Sequence, residues 1–222
     1  CAIEVDARAA QLFAWRAGQP LVGPLDAAGG TADVAMPATG TLSISVRDTD
    51  GAGPLPARVE LFPASGEPPS APASFGEIVP GRGRSILRHA GADGDVHLSL
   101  RPGAYRLRVS RGPEYDRVDV DVTVTAGADT PVTASLSRVV PTPGVLCADY
   151  HVHTSRSIDS PDPAALKVAS LVADGVEIAV RSDHEWVNDF QPVIDDLGLA
   201  AWARGLTGLE LTAFTWGHFG VF

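Results

Sequence analysis

From Thr41 onward, apolar and polar residues alternate with a period of two. Leu42, Ile44 and Val46 interleave with Ser43, Ser45 and Arg47, and Val59 and Leu61 continue the series. Val96, Leu98 and Leu100 follow, then Tyr105, Leu107 and Val109, then Val118, Val120, Val122 and Val124, and finally Val132, Ala134 and Leu136. Strict alternation places one face of a strand on a core and the other in water. Asp50-Gly51, Asp93-Gly94, Pro102-Gly103 and Ala126-Gly127-Ala128-Asp129 separate the runs with turn chemistry. Short strands punctuated this way predict an antiparallel β-sandwich over 39–140. Residues 1–38 hold shorter apolar pieces and read as a β-rich leader or the end of an upstream domain.

The period changes after Pro141-Thr142-Pro143-Gly144, a linker over 141–144 in which two prolines and a glycine stop any strand. A brief apolar strand is expected at 145–150. Asp162-Pro163 offers an N-cap followed by proline at the first helical position, Leu166, Ala169 and Val172 recur at helical spacing, and Gly175 suits the residue after the helix. A strand at 176–180, a helix at 190–199 and a strand at 206–214 complete a βαβαβ pattern, which predicts a parallel sheet or barrel.

The composition fits this picture. Apolar residues make up 45% of the 222, enough for a core, and 23 Gly with 18 Pro favour a loop-rich β protein over a helical bundle. The net charge of −10 is uneven. Residues 1–146 carry 16 acids against 13 bases, whereas 147–222 carry 11 against 4. An acidic surface repels phosphate backbones, so no nucleic-acid partner is expected. Two cysteines, Cys1 and Cys147, make no disulfide framework and no metal-binding Cys pair. A chain beginning at Cys1 reads as a fragment of a longer protein, or as a lipoprotein processed at that residue. No stretch is long enough for a transmembrane helix.

Three clusters in the last third carry candidate chemistry. In Asp149-Tyr150-His151-Val152-His153-Thr154, an extended chain points His151 and His153 the same way at the end of a strand. Ser182-Asp183-His184 follows the next strand directly, and Asp159 stands in the intervening loop. Glu210 lies inside an apolar strand in Gly208-Leu209-Glu210-Leu211-Thr212, with Trp216-Gly217-His218 behind it. A carboxylate there needs a cation or base beside it, because an isolated buried charge is costly. Taken singly, each cluster also reads as surface histidines or a capping acid. Together, in register with a βα repeat, they predict one divalent-metal site. The remaining candidates are bland: His97 is a solvated strand residue, His89 a loop residue, Arg82, Arg84 and Arg88 a solvated loop, and Trp216 with Phe219 core.

The ordered set from Asp149 to His218 resembles the PHP (polymerase and histidinol phosphatase) superfamily, with Ser182 where that family usually has Thr. The segment 94–107, with its Pro-Gly turn and Tyr105, resembles the carboxypeptidase-regulatory-like sandwiches. The PHP resemblance implies a multidomain chain: an antiparallel β-sandwich followed by the first part of a distorted (β/α)7 barrel over 145–222. It implies two or three divalent ions, zinc, manganese or iron. His151 and His153 would hold the first, Glu210 would bridge to a second on His218, and Asp159 and His184 would serve a third. Asp149 and Asp183 would orient imidazoles by hydrogen bonds. The implied activity is metal-dependent hydrolysis, with a metal-activated water attacking a small-molecule phosphoester or a carboxylic or carbamic ester. The family's late Asp-x-His has no counterpart in this sequence, and about three of seven βα units are present. The alternative expectation is therefore a non-catalytic exported binding module with a degenerate metal-binding barrel remnant. A periplasmic or secreted location is expected in either case.

Overall fold

The computed structural model describes residues 11–14, 22–26, 34–51, 53–64, 85–213 and 215–222. Cys1, Arg82 and Arg84 lie outside the described residues. Strands β1 (Gln11–Ala14) and β2 (Val22–Asp26) pair as a separate antiparallel hairpin.

The alternating region folds as two sheets. One has the order β6-β3-β9, from β3 (Gly40–Asp48), β6 (Asp95–Leu100) and β9 (Asp129–Leu136). The other has the order β5-β4-β7-β8, from β4 (Ala57–Pro63), β5 (Ile86–Ala90), β7 (Gly103–Ser110) and β8 (Arg117–Val124). Period-two burial aims Leu42, Ile44, Val46, Val96, Leu98 and Leu100 from the first sheet at Val59, Leu61, Leu107 and Val109 from the second. Each such side chain, removed from water, contributes about 1.5–3 kcal/mol. The Pro102-Gly103 turn carries the chain from one sheet to the other, and the buried Tyr105 braces it by donating its hydroxyl to Arg101 O at 2.7 Å. The sandwich is not purely antiparallel: β3 and β9 run parallel, from Thr41↔Asp129 to Asp48↔Leu136. His89 and Arg88 sit in β5 rather than in a loop.

Beyond the sandwich, β10 (Ala148–Val152), β11 (Ile178–Arg181) and β12 (Arg204–Thr207) form a three-stranded parallel sheet. Helix α1 (Ala164–Ala173) joins the first two strands and the short α2 (Gln191–Asp196) the second and third. Val152, Val168, Val172, Ala179, Phe190 and Ile194 build a second core between sheet and helices. Asp162 does not cap α1; Pro163 occupies the cap position, and the Asp162 carboxylate pairs with Lys167 Nζ at 2.8 Å. Gly175 follows the helix at φ +85°, a conformation glycine adopts without strain. A final hairpin, β13 (Leu209–Ala213) and β14 (Gly217–Val221), runs antiparallel.

The expected first part of a (β/α)7 barrel over 145–222 is therefore corrected: the region holds an open three-stranded parallel sheet and a separate antiparallel hairpin. Among the described residues strand dominates, only two helices occur, and no barrel closes. Three parallel strands are too few to curl round and close a barrel on themselves. The run expected as one strand at 206–214 breaks at Gly208, after which the chain turns into an antiparallel ribbon. No described helix is long and apolar enough to cross a membrane.

Candidate metal centre

The parallel register explains why distant residues meet. Val152 lies beside Arg181, and Arg181 beside Thr207, so β10, β11 and β12 end at one edge of the sheet. His153, His184 and Glu210 each stand just past one of these ends, and a parallel bridge joins His184 to Glu210. In open parallel sheets, ligands gather at this carboxyl edge.

Glu210 is the hub. Its side chain is only 5% exposed, and Oε2 lies 2.8 Å from His153 Nε2, 3.1 Å from His151 Nε2 and 3.6 Å from His184 Nδ1. Oε1 lies 2.9 Å from His218 Nδ1. Asp159 faces the other side of the group, 3.0 Å from His153 Nδ1 and 3.3 Å from His184 Nε2. Three sets of ligand atoms lie mutually within 4.8 Å: His151, His153 and Glu210; His153, Asp159 and His184; and His184, Glu210 and His218. All six candidate ligands are thus brought together, with His153, His184 and Glu210 shared between sets.

The donor set fits divalent cations. His151 Nε2 and His153 Nε2 approach to 2.9 Å while both face Glu210 Oε2. Lone pairs crowded in this way repel unless protons or a metal ion stand between them. Bond lengths of about 2.0–2.2 Å to zinc would place a cation within reach of each set. Mixed imidazole and carboxylate ligation suits zinc, manganese or iron better than calcium. Each set supplies three protein ligands, so an ion held there would keep further positions open to water or another ligand.

Burial alone would raise the Glu210 carboxyl pKa, but the imidazoles of His151, His184, His153 and His218 outweigh it and hold the group below the usual range. Asp159 is held low chiefly by its hydrogen bond with His153.

Asp149 and Asp183 do not reach a ring. Asp149 Oδ1 accepts the backbone N–H of His151 at 3.0 Å. Asp183, fully buried, accepts Thr154 N–H at 2.6 Å, the Thr154 hydroxyl and Arg181 Nε at 2.7 Å. It locks the His153 loop to the end of β11. Two hydroxyl residues escape a sequence reading: Thr212 Oγ1 shares a 2.6 Å hydrogen bond with His184 Nδ1, and the buried Ser157 Oγ accepts His184 N–H at 2.8 Å. Thr212 sits two residues after Glu210 on a strand, which was the available signal. Trp216 and Phe219, expected in the core, are 81% and 49% exposed.

No family model matches the chain, and no curated protein matches it. Among solved structures, the chain is similar to the major pilin subunit BcpA of Bacillus cereus. The identity there is 15% and the TM-score 0.35, over 46% of this chain and 31% of that one. The minor pilin GBS52 of Streptococcus agalactiae matches with 24% identity and a TM-score of 0.36, over 49% of this chain and 48% of that one. A DUF3823 family protein from Bacteroides uniformis matches with 15% identity and a TM-score of 0.31, over 48% of each chain. The chain thus spans 31% to 48% of the length of these neighbours, and at such distances they assign it no role.

These comparisons correct the expected identity. The similar structures named above are pilin subunits and a DUF3823 protein, not PHP metallohydrolases. Together with the absence of a barrel among the described residues, this withdraws the expectation of a PHP-type hydrolase.

Proposed function

We propose that the chain is an exported, non-catalytic binding module that captures divalent transition-metal ions on His151, His153, Asp159, His184, Glu210 and His218. The observation that carries this reading is the buried Glu210 carboxylate, with four imidazoles between 2.8 and 3.6 Å from it. A buried anion facing four lone-pair donors gains most when cations sit among them. The sandwich serves as the carrier. Export, to the periplasm or beyond the cell, is supported by the sandwich and by a composition with only two cysteines.

The test is metal uptake. Chain stripped with chelator and dialysed against zinc or manganese should retain two or three ions per molecule, read by elemental analysis. His151→Ala with His153→Ala should lose at least one of them. Failure to retain stoichiometric metal would sink the reading. Hydrolysis of p-nitrophenyl acetate or p-nitrophenyl phosphate well above the rate of free metal would overturn its non-catalytic part.

A further inference from the structure

Four basic residues serve the acidic stretch from Cys147 onward. Lys167 pairs with Asp162, Arg181 pairs with Asp183, and the Arg204 guanidinium donates to the carbonyls of Ala200 and Ala203. Arg156 differs. Among the described residues its guanidinium makes no ion pair and no hydrogen bond; its Cζ lies over the Trp186 ring, 3.9 Å from the centroid. Arginine on an aromatic face keeps its N–H edges free for a planar anion, and the stacking limits how far the charge can wander.

The place of this pair is set by the metal centre. Arg156 stands three residues after His153 and three before Asp159, and Trp186 stands two residues after His184. Three residues of chain span at most about 11 Å. The loop is pinned on both sides of Arg156. Thr154 is held by Asp183, Ser157 holds His184 N–H, and Arg156 N–H reaches Thr154 Oγ1 at 3.3 Å. Ile158, two residues after Arg156 in the chain, is 99% exposed, and Val187, next to Trp186, is 70% exposed. A free cation and exposed apolar side chains thus stand within a few residues of the ligands of a site that would present open positions on divalent ions.

We infer that Arg156, seated on Trp186, reads the charge of a ligand at this centre, and that the ligand is an organic carboxylate with an apolar body. The carboxylate bridges a bound cation and the guanidinium, and the body lies on Ile158 and Val187. Both partners are charged, so the guanidinium contact is of the stronger kind. The inference rests on the metal-binding reading proposed above.

Cobalt-loaded protein tests it, with benzoate as the probe, benzamide as its uncharged counterpart and acetate as its body-less one. The visible spectrum of the bound cobalt reports the titration. Benzoate should perturb the bands at lower concentration than acetate, and benzamide should leave them unchanged. Arg156→Gln should weaken benzoate about tenfold or more with cobalt affinity unchanged. Trp186→Ala should weaken it several-fold, and Arg156→Lys should restore it only in part. Equal benzoate affinity in wild type and Arg156→Gln, equal response to benzamide, or acetate matching benzoate would overturn the inference while leaving metal binding intact. Absence of cobalt uptake would instead sink the metal reading, and this inference with it.

Discussion

Arg111 donates from Nη1 to the carbonyl oxygen of Val172 at 2.7 Å, joining the sandwich to the last turn of α1. The same nitrogen reaches Pro56 O at 2.6 Å, so one buried guanidinium ties both units together. Gly112 permits the approach: at φ +56° it lies so close to Asp174 O that a Cβ would stand 2.2 Å from that oxygen. The metal centre and the sandwich are therefore parts of one packed body.

Arg111→Met should loosen that body. It keeps most of the apolar stem but strips Pro56 O of its partner, while Val172 O retains Gly175 N–H at 3.1 Å. Relief of the guanidinium's desolvation offsets part of the loss. A net destabilisation of about 2 kcal/mol is expected, a fall of about 4–8 °C in Tm. Thermal unfolding checks it, and an unchanged Tm would show the staple to be idle.

Much of this architecture was legible in the sequence, and the reasons differ by element. The sandwich strands announced themselves because one-sided burial forces Leu42, Ile44 and Val46 to alternate with polar neighbours. The parallel pairing of β3 with β9 did not, since a local pattern carries no information about the partner strand. The clustering of His151, His153, Asp159, His184, Glu210 and His218 was legible because such residues recur near the ends of parallel strands. The barrel was over-read from the same repeat: three βα-type strands look alike in an open sheet and in a closed one. Asp183 was expected on an imidazole and binds Thr154 instead, 29 residues away in sequence, a contact no spacing rule anticipates.

Gly208 marks where that over-reading began, and it yields a prediction. A Cβ there would stand 2.5 Å from Val180 Cγ1 and 3.1 Å from Arg181 O. The glycine lets β13 leave the sheet edge and bring Glu210 over the histidines. Gly208→Ala should cost about 1–3 kcal/mol by overpacking. It should also displace Glu210 and weaken zinc binding by about tenfold, comparable to the loss of a residue supporting a metal ligand. A variant with normal zinc affinity but reduced stability would separate packing from positioning.

Acid should act on the junction through His89. Burial, the chief cause, lowers its pKa below 6.5; Asp174 opposes the shift, while Arg58 and Arg88 add to it. Its Nε2 is buried with no partner. The fold prefers the neutral ring, so the unfolded chain takes up a proton first as pH falls below about 6.5. Stability should therefore decline from there down through the folded-state pKa of His89. Asp174, raised chiefly by its own burial, acts oppositely, but nearer the carboxylate range. Urea midpoints between pH 7.5 and 5 should fall in the wild type, and more shallowly in His89→Phe. Parallel curves for the two proteins would refute the assignment.

Metal binding should depend on Glu210 more than on His151 or His218. Its two oxygens belong to two of the three ligand sets, whereas His151 and His218 each belong to one. Glu210→Gln preserves shape but removes the charge and one lone-pair oxygen. Two cations sharing the hub would then face the histidines without their common anion, and repulsion between like charges would go uncompensated. Zinc affinity should fall by about 100-fold or more, beyond the 10–100-fold typical of supporting residues, and uptake should drop by two ions rather than one. His218→Ala should cost a single ion. Calorimetric titration of stripped protein distinguishes these outcomes: if Glu210→Gln and His218→Ala lose the same stoichiometry, Glu210 does not bridge, and the three sets are separate alternatives for one ion.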